Sequence, residues 1–190
     1  MTEPTHPHTT VECLRCVDLC VSRGGRRVIH NVNLSLRADE CVSLIGPNGA
    51  GKTTLLLALM GYLPPVAGRV ELDGRAMRKL SARRRGRFAS YVPQTVERIP
   101  AFTVHDVVSG GRFPHAAPLS PLGPADRAAV ADALRLCGLE DLAQRPVNAL
   151  SGGERQKTLI AAAIAQDAQV MFLDEPSTAL DPGVQLELVQ

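Results

Sequence analysis

Apolar and polar residues alternate along Val11–Val21 and again along Val28–Leu36, two β-branched stretches separated by Gly24-Gly25. A two-residue period marks a strand with one buried face, and a glycine pair between two such runs predicts a β-hairpin. Cys41-Val42-Ser43-Leu44-Ile45 is a short apolar run that enters a glycine-rich turn, and it reads as another strand. Lys52–Met60 then reads as a helix, stopped by Gly61 and the Pro64-Pro65 pair. Gly68–Leu72, closed by Asp73-Gly74, and Phe88–Val92 predict two further short strands.

The pattern changes between Ala101 and Leu150. Pro114, Pro118, Pro121 and Pro124 interrupt one stretch, and helical patterns flank it at Thr103–Val108 and Ala125–Cys137. A mostly helical insert at about 101–150 is expected, with a proline-rich loop inside it. A further helix starts near Gly153 and continues through Ala161–Ala165. Val170-Met171-Phe172-Leu173 is continuously apolar, as a parallel strand buried on both faces is. Strands alternating with helices argue an α/β fold with a parallel sheet. Residues 1–10 read as a loose, flexible tail, and the chain carries no internal repeat.

Composition narrows the class. A chain of 190 residues, 45% hydrophobic and 21% charged, is that of a soluble globular domain rather than a collagen-like, disordered or membrane-spanning one. The 21 Lys+Arg against 19 Asp+Glu leave a net charge of +2, which gives no support to a dedicated nucleic-acid binder. The longest uncharged stretch, Thr53–Gly68, is broken by Gly61, Pro64 and Pro65, so no membrane span is expected. Met1–Thr10 has neither a charged start nor an apolar core, so no signal peptide is read there. Five cysteines form no disulfide framework, and the reducing cytoplasm is the expected compartment. Cys13, Cys16 and Cys20 lack a second Cys/His pair at ligand spacing, and packing is preferred over metal binding. The basic cluster Arg78-Lys79, Arg83–Arg85 and Arg87 reads as a solvated helix face, with an acidic partner or anionic lipid left open.

Three segments carry chemistry. Gly46–Thr53, GPNGAGKT, has the glycine-rich spacing that lets backbone N–H groups converge on phosphate oxygens at a helix start. Gly46, Pro47, Asn48, Gly49, Ala50, Gly51, Lys52, Thr53 and Thr54 are the candidate phosphate-binding residues. Lys52 supplies a point charge near the β- and γ-phosphates, and Thr53 offers a hydroxyl to Mg2+. The alternative is a glycine turn with a chance Lys-Thr. VMFLDEP, Val170–Pro176, places Asp174 to hold Mg2+ and Glu175 to orient or deprotonate an attacking water. Alone, such an acid pair is also a common loop carboxylate or helix cap. LSGGERQK, Leu150–Lys157, brings Ser151, Gly152 and Gly153 to a second helix start, either an anion site or an ordinary serine cap.

Together these segments resemble the nucleotide-binding subunit of ATP-binding-cassette transporters. The Walker A motif is GPNGAGKT, the signature LSGGERQ and the Walker B motif VMFLDEP, with YVPQ (Tyr91–Gln94) between and STALD (Ser177–Asp181) after them. The resemblance implies a P-loop NTPase core with an antiparallel β subdomain and a helical insert, occupying residues 11–190. It implies ATP and Mg2+ as cofactors, Glu175 and Gln94 as catalytic, and Thr53, Gln94 and Asp174 at the magnesium ion. Ser151, Gly152 and Gly153 would close on ATP bound by a second copy, and Asp181 would lie at that dimer seam. The implied partners are transmembrane permease subunits, a second nucleotide-binding domain and, indirectly, a solute-binding protein, with no nucleic acid. The implied place is the cytoplasmic face of the cell membrane, as a peripheral subunit.

FTVHDVVSGGRFPH, Phe102–His115, is similar to the same region of ATPase subunits that import iron chelates, haem or cobalamin. Two departures bear on activity. The family's switch histidine belongs on a further strand after STALD, and none of His6, His8, His30, His105 and His115 takes that place. The chain therefore reads as C-terminally incomplete, and weak ATP binding and poor hydrolysis are expected of it alone. Arg23 stands where the family usually stacks an aromatic residue on adenine, a place a guanidinium plane also suits. Two other functions stay open: a degenerate module that binds ATP without turnover, and a soluble cassette ATPase acting on nucleic acid. The cargo is not written in the chain, because its contacts belong to the permease and the binding protein.

Overall fold

The two alternating runs pair as antiparallel strands β1 (Glu12–Arg23) and β2 (Arg26–Arg37), with Arg23 opposite Arg26 across the glycine turn. The computed structural model describes residues 12–94, 101–117 and 120–175. The tail at 1–10 and the STALD segment lie outside the described residues. The chain divides into two units, one ending at Leu80 and the other beginning at Ser81.

In the first unit β1 is central. Strand β3 (Ala67–Leu72) pairs with its other edge and β4 (Arg75–Ala76) follows, giving the order β2-β1-β3-β4. The β1 alternation slips at Asp18, where φ is +47° and the register passes from Cys16↔Leu34 to Leu19↔Val32. One extra residue on β1 is a β-bulge, and it moves the buried positions from Leu14 and Cys16 to Leu19 and Val21. Cys20, also buried, donates its thiol hydrogen to Asn31 Oδ1 at 3.0 Å, and Cys13 donates to Leu36 O at 3.2 Å. These thiols are packing groups of the hairpin.

Helix α1 (Lys52–Leu59) buries Leu55, Leu56, Ala58 and Leu59. Eight residues are too few to hold a helix in water, so packing holds this one, at roughly 1.5–3 kcal/mol per buried leucine. It ends in a Schellman cap, with Gly61 N–H on Ala58 O and Tyr62 N–H on Leu57 O. One expectation is corrected here. Cys41–Ile45 belongs to no strand, and Ile45 is 96% exposed. An apolar run becomes a strand only when a neighbour takes its N–H and C=O groups, and neither described sheet includes this segment.

In the second unit, α2 (Ala82–Phe88) leads into β5 (Ala89–Val92), which pairs in parallel with β6 (Val170–Leu173). Helices α3 (Val104–Gly110), α4 (Pro124–Leu136) and α5 (Gly152–Ala165) enclose a core of Val92, Val104, Val108, Val130, Ala133 and Ile160. Arg112 is 7% exposed and ties three elements together. Its Nε donates to Asp126 Oδ1 (2.9 Å) and its Nη1 to Ala165 O (2.8 Å). The basic face of α2 is only partly given to solvent, because Arg83 and Arg87 both donate Nε to Pro114 O, at 3.1 and 2.8 Å.

Three carboxylates of this unit sit below their ordinary range. Hydrogen bonds from Thr103 hold Asp106 down, those from Arg112 hold Asp126 down, and those from Ser151 hold Glu154 down. A depressed folded pKa stabilises fully above the unfolded value, and the contribution is lost as pH falls through the folded one. The thermal midpoint should therefore hold from neutrality to about pH 5 and begin to fall below about pH 4. Melting curves across that range check it, and Asp126→Asn should flatten the acid limb.

Candidate functional site

The first unit presents the phosphate-loop residues. A turn at Pro47–Ala50 is closed by the Ala50 N–H on Pro47 O at 3.1 Å, and Gly49 within it has φ +82°. Gly51 leads into α1 at φ +99°. A Cβ there would stand 2.9 Å from Val28 Cγ1 and 3.0 Å from Ile29 Cδ1, so both backbone angle and space require glycine. Lys52 Nζ donates to Gly46 O (2.9 Å) and Pro47 O (3.3 Å), which draws the ammonium over the curve of the loop. Thr53 follows, half-buried, and Thr54 is buried. The first turn of α1 carries no acidic residue of its own. Arg23 stands exposed at the last place of β1.

The second unit brings the other motifs together. Parallel pairing sets Tyr91 beside Phe172 and Val92 beside Leu173, so the YVPQ segment and the acid pair leave the sheet at the same level. Gln94 Nε2 donates to Glu175 Oε2 at 2.5 Å. Glu175 has φ +50°, a left-handed conformation that costs an L-residue roughly 1–2 kcal/mol. Asp174 is only 6% exposed; its N–H donates to Val92 O (3.0 Å), and Tyr91 Oη donates to its Oδ2 (3.1 Å). Burial and that carboxylate push the Tyr91 phenol up to about 12. The residue was part of a motif in the sequence, yet nothing there gave it a role, because its partner lies 83 positions away.

Ser151 caps α5 in a reciprocal box. Its Oγ donates to Glu154 Oε2 (2.7 Å) and accepts from the Glu154 N–H (3.3 Å). The serine-cap alternative is thus realised in the structure, with Ser151 and Gly152 exposed beside it. Asp181 lies outside the described residues.

Within the second unit, the buried carboxylate of Asp174 and the amide oxygen of Gln94 are hard oxygen donors of the kind magnesium takes; in the first unit, Thr53 carries a hydroxyl of the same chemistry. The Gln94 nitrogen is held by Glu175, so its oxygen is the end that suits a cation.

The chain is 40% identical over 172 residues to the iron(3+)-hydroxamate import ATP-binding protein FhuC of Bacillus subtilis (strain 168), covering 90% of this chain and 64% of that protein. It is 40% identical over 182 residues to the hemin import ATP-binding protein HmuV of Rhodococcus jostii (strain RHA1), covering 96% and 61%. The chain thus spans less than two thirds of the length of these two relatives. A dimeric ATP-binding cassette in a post-hydrolysis state, bound to ADP and Pi, superposes with a TM-score of 0.78 at 26% identity, over 92% of this chain and 79% of that one. Residues 29–178 match the ABC transporter family model, and the α/β architecture is that of its ATPase cassettes: the chain belongs to the ABC transporter family.

Proposed function

We propose that residues 11–190 form the nucleotide-binding domain of an importer subunit, with its helical insert at 101–150. It binds ATP, hydrolyses it, and couples the reaction to uptake of an iron chelate, haem or cobalamin through a separate permease. The observation that carries the hydrolytic part is the Gln94–Glu175 hydrogen bond, which holds a carboxylate where β5 and β6 end. The names of the two relatives, which specify iron(3+)-hydroxamate and hemin import, support the cargo class. No helix among the described residues is long and apolar enough to cross a membrane.

In this reading the backbone N–H groups of Asn48–Thr54 and the Lys52 ammonium hold the polyphosphate, with Gly46 and Pro47 shaping the start of the loop. Thr53, Gln94 and Asp174 hold Mg2+, which neutralises charge on the phosphates when bound. Glu175 takes the proton of the attacking water, and Gln94 orients both. Ser151, Gly152 and Gly153 serve the ATP of a second copy, with Asp181 at the seam. For that the Ser151 hydroxyl must turn its hydrogen from Glu154 to a phosphate oxygen. The subunit works at the cytoplasmic face of the membrane, and a solute-binding protein delivers cargo to the permease.

Titration calorimetry with ATP and Mg2+ tests the reading. Binding heat is expected, and Lys52→Ala should weaken affinity by about tenfold or more through loss of one charge-assisted contact. Equal heats from parent and variant would overturn the phosphate-loop assignment. Binding without any phosphate release would leave a nucleotide-holding module in place of an ATPase.

A further inference from the structure

We propose that Tyr91 is a positioning residue that fixes the carboxylate of Asp174 for its metal. The inference rests on the reading above, in which Asp174 carries magnesium. Tyr91 pairs with Phe172, and Asp174 lies two residues beyond Phe172. Alternation along a strand puts residues two apart on one face, so the phenol reaches along the strand direction to the acid. The contact is specific, with Tyr91 Oη donating to Oδ2 at 3.1 Å. The backbone of Asp174 is held separately, by its N–H on Val92 O.

These two restraints act on different freedoms. The backbone bond sets where the side chain begins. The phenol sets the rotation of the carboxylate about its last torsion, a broad, two-fold coordinate with little preference of its own. Tying Oδ2 therefore restrains the direction of Oδ1. Asp174 is buried, so water is poorly placed to do this instead. A phenylalanine would fill the same half-buried place on β5 as well as tyrosine does. The hydroxyl is the part of this residue that packing does not explain. Partners that orient a metal ligand in this way commonly change metal affinity without touching the metal.

The test uses Tyr91→Phe and Tyr91→Met, two donor-less side chains of different shape, with Asp174→Asn as reference. Mn2+ binding in the presence of ATP is followed by electron paramagnetic resonance. ATP affinity without metal and thermal midpoints are measured beside it. Both Tyr91 variants should raise the Mn2+ half-saturation by about tenfold or more, with metal-free ATP affinity and melting near the parent values. Parent-like Mn2+ binding in both variants overturns the proposal. So does a joint loss of melting temperature and metal-free ATP affinity, the mark of a packing role. If Asp174→Asn leaves Mn2+ binding unchanged, the assignment of Asp174 itself fails. If it removes binding while the Tyr91 variants do not shift it, only the role of Tyr91 falls.

Discussion

Glu175→Gln is expected to slow phosphate release from ATP by about 10²- to 10⁴-fold while ATP affinity stays at the parent level. The structure makes this substitution unusually clean. Gln94 donates to Glu175 Oε2, and a glutamine at 175 presents a carbonyl oxygen that accepts the same bond. The local geometry survives, and what is lost is the ability to take a proton. Single-turnover release from radiolabelled ATP reads the difference even when the steady rate is low. The phosphate-loop residues are untouched by the change, so binding should not follow the rate. A variant as fast as the parent would make Glu175 a loop carboxylate and would place the base elsewhere.

The parts of the fold set by local chemistry were legible beforehand. Alternation and a glycine pair foretold the β1–β2 hairpin, while the bulge at Asp18 that shifts its register was not part of that pattern. Thr103 and Ser151 begin helices because each has an acid three residues on, a signal written within four positions. Cys41–Ile45 failed for the opposite reason, since a strand depends on a partner that its own residues do not specify. The asymmetry extends to the site. Gln94 and Glu175 were each visible as motif residues, but their contact spans 81 positions and follows from the register of β5 on β6. Arg112 was visible only as a letter of the GGRFPH run. Its role as a buried tie between α3, α4 and α5 depends on Ala165 and Asp126 arriving from elsewhere.

The two adjacent glycines of that run should respond to alanine in opposite ways. A Cβ on Gly111 would lie 2.3 Å from Ala162 O and 3.1 Å from Val108 O. The first is backbone of α5 and cannot swing aside, so α3 and α5 must move apart. Val104, Val108, Ile160 and Ala161 of these two helices are fully buried, so parting the helices costs packing at each of them. Arg112, the next residue, would be pulled from Ala165 O by the same shift. Gly111→Ala should therefore destabilise the second unit by about 3 kcal/mol or more. At Gly110 the added carbon meets only Phe113 Cε2, at an ordinary 3.7 Å. Gly110 is the last residue of α3, where alanine favours the helix, so Gly110→Ala should be neutral or stabilising by up to about 1 kcal/mol. Urea unfolding of the two variants measures both signs. If Gly111→Ala falls within about 0.5 kcal/mol of the parent, as an ordinary surface change does, the close approach of the helices is wrong. If it unfolds the unit as expected, this part of the run is required by helix packing, and no catalytic role is needed to explain its glycine.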